Sequence, residues 1–174
     1  MASRRKLIKW YTDQQGRVIY SREHRNGPTS YDGASALFAA LIYARFLPSS
    51  PKLGKLSTLC QLEGSLLQPI RSRDVRPGDV FVSKPNQILS DLEGHTGVAL
   101  DQKRIILCCQ EYDGIHICTM KEWKDETLSW YRLAEPVRKR RSWLEKVQDY
   151  LGACQKRKAL QAIEKINEDK KCYN

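Results

Sequence analysis

No Cys-x-x-Cys pair and no Cys/His knuckle occurs among the six cysteines and three histidines, a spacing that excludes the common structural zinc sites. Reduced, buried thiols are therefore expected at Cys60, Cys108, Cys109, Cys118, Cys154 and Cys172, with no metal and no cofactor. No run of about 18 apolar residues exists, so no helical membrane span is expected. Met1-Ala2-Ser3-Arg4-Arg5-Lys6 is basic, but amphipathic sequence follows it where a signal peptide would place an apolar core. A cytoplasmic location follows from that reading. Internal repeats and low-complexity tracts are absent too, which leaves an ordinary globular chain of 174 residues.

What the sequence has in excess is positive charge, +10 in all, unevenly placed. Residues 1–135 hold 19 Lys/Arg against 15 Asp/Glu, while residues 136–174 hold 11 against 5. This division predicts a folded domain over 1–135 and a basic amphipathic helical tail over 136–174. In the tail Arg138-Lys139-Arg140-Arg141 precedes the capping-box pattern Ser142-Trp143-Leu144-Glu145, and Lys156-Arg157-Lys158 forms a second basic run. Those seven cations are the candidate binding residues for an anionic partner: RNA, DNA, a nucleoprotein complex, an acidic protein, or peptidoglycan and teichoic acid.

The domain reads as helices first and sheet second, an α+β order. Lys6 to Gln14 spaces Leu7, Ile8, Trp10 and Tyr11 as a short amphipathic helix. Asp32 caps a helix expected from Gly33 to Arg45, and Pro48 forbids its continuation. Its residues Ala36 to Tyr43 are apolar on nearly every face, the pattern of a central buried helix. Ser57 to Leu67, with Leu59, Leu62 and Leu66 on one side, predicts a further helix. After the turn at Arg76-Pro77-Gly78-Asp79, strands are expected at Val80–Val82, Gly97–Leu100, Arg104–Cys109, Ile115–Cys118 and Ser129–Leu133, joined as an antiparallel meander. On such a strand Cys108 and Cys109 face opposite sides.

Gly27-Pro28-Thr29-Ser30-Tyr31-Asp32-Gly33-Ala34-Ser35 resembles the Gly-Pro-x-Ser-Tyr-Asp-Cys-Ser-Ser segment of bacteriophage endolysins, papain-like cysteine peptidases and amidases of the NlpC type that cut peptidoglycan. Gly16-Arg17-Val18 with Tyr20-Ser21, Glu93-Gly94-His95-Thr96-Gly97 and Tyr112-Asp113-Gly114-Ile115 extend the resemblance over roughly residues 10 to 133. It implies a papain-like domain in which a buried helix packs on a small antiparallel sheet. It also implies a triad of nucleophilic Cys, general-base His and an orienting polar residue. The matching positions are Gly33, His95 and Leu107, so only the histidine is retained. Ser35 points about 200° around the helix from position 33, and Cys108 or Cys109 lacks a helix dipole to lower its pKa, which makes each a poor substitute.

With two triad positions lost, the expected chain is not an enzyme but a pseudoenzyme of a peptidoglycan hydrolase, with no catalytic residues. It would act in the host cytoplasm as a binding protein or inhibitor of a nucleoprotein, such as a CRISPR-type defence complex. Two further readings follow from the same residues: a non-cutting wall-binding protein or lysin regulator, and a residual peptidoglycan amidase or endopeptidase dependent on His95.

Overall fold

The computed structural model describes residues 1–50, 52–84, 94–123 and 127–135. Helix α1 (Arg4–Gln14) opens on Ser3, whose hydroxyl accepts from the Lys6 N–H, and it buries Leu7, Trp10 and Tyr11. Their spacing of three and one puts them on one stripe, which packs on α2 (Gly33–Tyr43). The Trp10 ring meets Tyr31, just before α2, edge to face at 5.4 Å.

Helix α2 buries Ala34 through Phe38 together with Ala40 and Leu41, so it is the central helix its composition predicts. Leu37 and Leu41 are fully buried, each contributing about 1.5–3 kcal/mol of apolar transfer. The helix stops two residues before the expected Arg45. Arg45 itself adopts φ +64°, and the Phe46 N–H turns back to the Leu41 carbonyl at 2.9 Å.

The expected helix over Ser57–Leu67 is corrected. Helix α3 covers only Leu56–Cys60. The chain turns back at Gly64, with φ +78°, and the Leu67 N–H reaches the Leu62 carbonyl at 2.9 Å. The leucine spacing that reads as a helical stripe is satisfied here by a compact turn.

Beyond that turn, Leu67–Ile70 forms β3, which the sequence did not announce because it contains Pro69. Proline is confined to edge strands, and β3 stands at the edge of the sheet, paired with β8 (Thr127–Leu133). A two-residue parallel pair, β1 (Ile19–Tyr20) with β2 (Ser30–Tyr31), is likewise too short to leave a periodic signal.

The remaining strands are β4 (Val80–Lys84), β5 (Thr96–Ala99), β6 (Arg104–Cys109) and β7 (Gly114–Thr119). β4 to β7 form the expected antiparallel meander, but β8 departs from it. It returns to pair with β4 on the far side, giving the sheet order β3-β8-β4-β5-β6-β7. Each strand alternates between two apolar environments. Val80, Val82, Val98, Ile106 and Cys108 join the cluster that holds α2, while Phe81, Ala99, Ile105, Leu107, Cys109 and Trp130 form a second cluster. Cys108 and Cys109 thus face opposite sides, and both are free thiols, as is Cys60.

The turn into β4 is held by Asp79, whose side chain is fully buried. Its carboxylate accepts from the Arg76 N–H at 2.8 Å and from Arg132 on β8 at 2.9 and 3.2 Å. A Pro-Gly turn and a charged strand are thereby locked together at the top of the sheet.

Candidate active site

The site grows from the start of α2. Asp32 accepts from the Ser35 N–H at 2.7 Å, and the Ser35 hydroxyl accepts from the Asp32 N–H at 2.9 Å, a reciprocal capping box. Ser35 is buried and committed to this cap, so it has no role as a nucleophile. Arg25 grips Asp32 from outside at 2.5 and 3.2 Å, and its guanidinium also donates to the Gly54 carbonyl at 2.6 Å. Asp32→Ala removes a cap and an ion-pair partner together, and is expected to cost about 1–2 kcal/mol in a denaturant titration.

Between Asp32 and Ser35 lies Gly33. A Cβ built there stands 3.1 Å from the Cys108 carbonyl oxygen and 3.8 Å from the Thr96 N. Any side chain at this position would therefore begin between the ends of β6 and β5. Thr96 is the residue after His95, which brings Gly33 and His95 to one corner of the fold.

His95 is fixed by its backbone. Its N–H donates to the Ser83 hydroxyl at 2.7 Å and its carbonyl accepts from the Ser83 N–H at 2.8 Å, with Ser83 fully buried on β4. The imidazole is one-quarter exposed, and Nε2 lies 3.8 Å from Oε1 of Glu111, a residue of the turn between β6 and β7. At that length the pair is electrostatic and not a hydrogen bond.

Leu107 pairs with Gly97, two residues from His95, and is buried in the cluster of Phe81 and Trp130. Its aliphatic side chain cannot orient an imidazole. Cys108 is buried and its Sγ donates to the Tyr31 carbonyl at 3.5 Å. Burial pushes its thiol up to about 12, with Cys109 and Asp32 adding. Burial also pushes Cys109 up to about 12, opposed by a backbone bond from Tyr112 and reinforced by Glu111. Both remain neutral at pH 7, and a neutral thiol is a poor nucleophile.

His24 is exposed, and His116 stacks on the Tyr112 ring at 4.0 Å, so each has a place apart from the corner. The basic candidates Arg138, Lys139, Arg140, Arg141, Lys156, Arg157 and Lys158 lie outside the described residues. Glu111 and Ser83 were missed by sequence reasoning. The signal for Glu111 was available: pairing β5 against β6 carries the turn after Cys109 past the start of β5, where His95 stands.

A buried helix whose first turn meets the ends of two antiparallel strands, one preceded by a histidine, is the arrangement of NlpC-type papain-like proteins. Two solved structures share the fold, NlpC1 and NlpC2 from Trichomonas vaginalis. NlpC1 has a TM-score of 0.50 and 17% identity, covering 73% of this chain and 43% of its own. NlpC2 has a TM-score of 0.50 and 13% identity, covering 74% and 46%.

Residues 3–142 match the Amidase_5 family, described as bacteriophage peptidoglycan hydrolase, and the chain belongs to that family. A lysin of Pneumococcus phage Dp-1 is 30% identical over 137 residues, 75% of this chain and 43% of that lysin. The chain thus spans less than half the length of that relative.

Family membership corrects the expectation that the chain is not an enzyme: its relatives are named as a peptidoglycan hydrolase and a lysin. The error was to equate the loss of two triad side chains, at Gly33 and Leu107, with loss of catalysis. Gly33 removes covalent attack from that position, but the start of α2 and the His95-Thr96 segment still meet at one corner.

Proposed function

We propose that the chain hydrolyses an amide bond in the peptide part of peptidoglycan, with His95 as general base and water as the attacking group. The observation that supports it is the junction of the α2 N-terminus with His95-Thr96, in a chain of this family. His95 takes a proton as the water oxygen bonds to the amide carbon. The positive end of α2 favours the oxyanion that develops. The C–N bond then breaks, His95 returns the proton to the leaving amine, and a carboxylate and an amine result. No acyl-enzyme is required.

The test is digestion of purified sacculi by the full chain, followed as new amino and carboxyl ends. Digestion is expected, and alkylation with iodoacetamide is expected to leave it intact, because Cys108 and Cys109 are buried neutral thiols. Digestion that alkylation abolishes would move the nucleophile to a cysteine and overturn the water route. Retention on sacculi without any new ends would overturn hydrolysis and leave a wall-binding protein.

A further inference from the structure

The position that should orient the catalytic imidazole is aliphatic, yet the imidazole of His95 faces a carboxylate from another part of the chain. We propose that Glu111, in the turn between β6 and β7, is the positioning residue that orients His95 for amide hydrolysis. This rests on the hydrolase reading above. The orienting role has moved four residues along the chain, from the buried face of β6 to the turn that follows it.

Three features make the pairing a product of the fold. The first is register. Gly97 pairs with Leu107, so extending the antiparallel ladder two residues takes the end of β6 to the level of His95, and the turn at 110–113 follows at once. The second is the stem of the histidine, which Ser83 holds through both backbone groups, so the ring leaves from a fixed point. The third is the turn itself. The Asp113 N–H closes on the Gln110 carbonyl at 3.0 Å, Asp113 adopts φ +45°, and the neighbouring Tyr112 ring is stacked on His116. Glu111 therefore projects from a pinned turn although it is itself more than half exposed.

The chemical consequence concerns which nitrogen is basic. A carboxylate beside Nε2 favours the tautomer with its proton on Nε2, since the alternative sets a lone pair against a negative charge. Nδ1 is then the nitrogen that takes the proton from water. The ring is thereby presented with a fixed edge toward the reacting water.

Histidine tautomers read by long-range proton–nitrogen correlation on the labelled full chain test this, with His95→Gln used to assign the signal. The wild-type ring is expected to carry its neutral-form proton on Nε2, and Glu111→Gln to populate both tautomers. On sacculi, Glu111→Gln is expected to lower kcat about tenfold to a hundredfold with KM unchanged, and Glu111→Asp to restore part of it. A Glu111→Gln protein with wild-type tautomer and wild-type kcat overturns the proposal and leaves the hydrolase reading standing. If the wild type cuts nothing, the hydrolase reading fails by itself. The tautomer then decides the pairing alone: a shift in Glu111→Gln supports it, and no shift overturns it.

Discussion

His95→Ala is expected to cut the rate of new amino-end release from sacculi by a factor of about 10² to 10⁴, the usual contribution of a positioned general base. The fold should not suffer. The residue contributes its backbone to Ser83 through bonds that any residue except proline can make, and its ring is partly exposed beside Glu111. A loss in kcat with an unchanged melting temperature assigns the histidine to chemistry. Loss of both would make it structural, and retention of both would remove it from the mechanism. Because Gly33 supplies no nucleophile, the whole burden of activating water falls on this ring, which places its effect at the upper part of the range.

The second large effect is on stability and lies at the other end of β4. Asp79→Ala is expected to cost about 3 kcal/mol, measured as a lowered denaturant midpoint with an unchanged slope. The substitution removes three hydrogen bonds, two to Arg132 and one to the Arg76 N–H that shapes the turn. Arg132 has one-quarter of its side chain exposed and can turn toward water, which keeps the cost near the lower end of the range for a broken buried pair. Arg132→Ala is the sharper companion, since it strands a fully buried carboxylate. A cost below about 1 kcal/mol for both would mean that the pair is structurally idle.

The central helix was legible because two local signals agreed: an unbroken apolar run and a cap at Asp32. The strands from β4 to β7 were legible because alternation and short turns coincide there. The failures have physical causes. β3 carries a proline and pairs on one side only, so it lacks the composition of a strand, and the leucines before it mimic a helical stripe. The place of β8 beside β4 is a long-range pairing that no local pattern encodes. At the site, Gly33, His95 and Leu107 were found through resemblance, while Glu111 was passed over because its role depends on strand register and not on motif. Reading the absence of catalysis from two missing side chains was the costliest error, since the family to which the chain belongs is described as a peptidoglycan hydrolase.

The capping box at the start of α2 has an implication for how this site can change over generations. Asp32 and Ser35 seal the helix across position 33 without drawing on the side chain there, and the Cβ of any residue at 33 would need the Cys108 carbonyl to yield by only a few tenths of an ångström. The helix cap and the reactive position are thus separate at that one residue. Exchange of glycine for a reactive side chain there, or the reverse, turns on how far the β6 backbone at Cys108 yields and not on the helix cap. The scaffold acts as a socket whose fitting is free to vary.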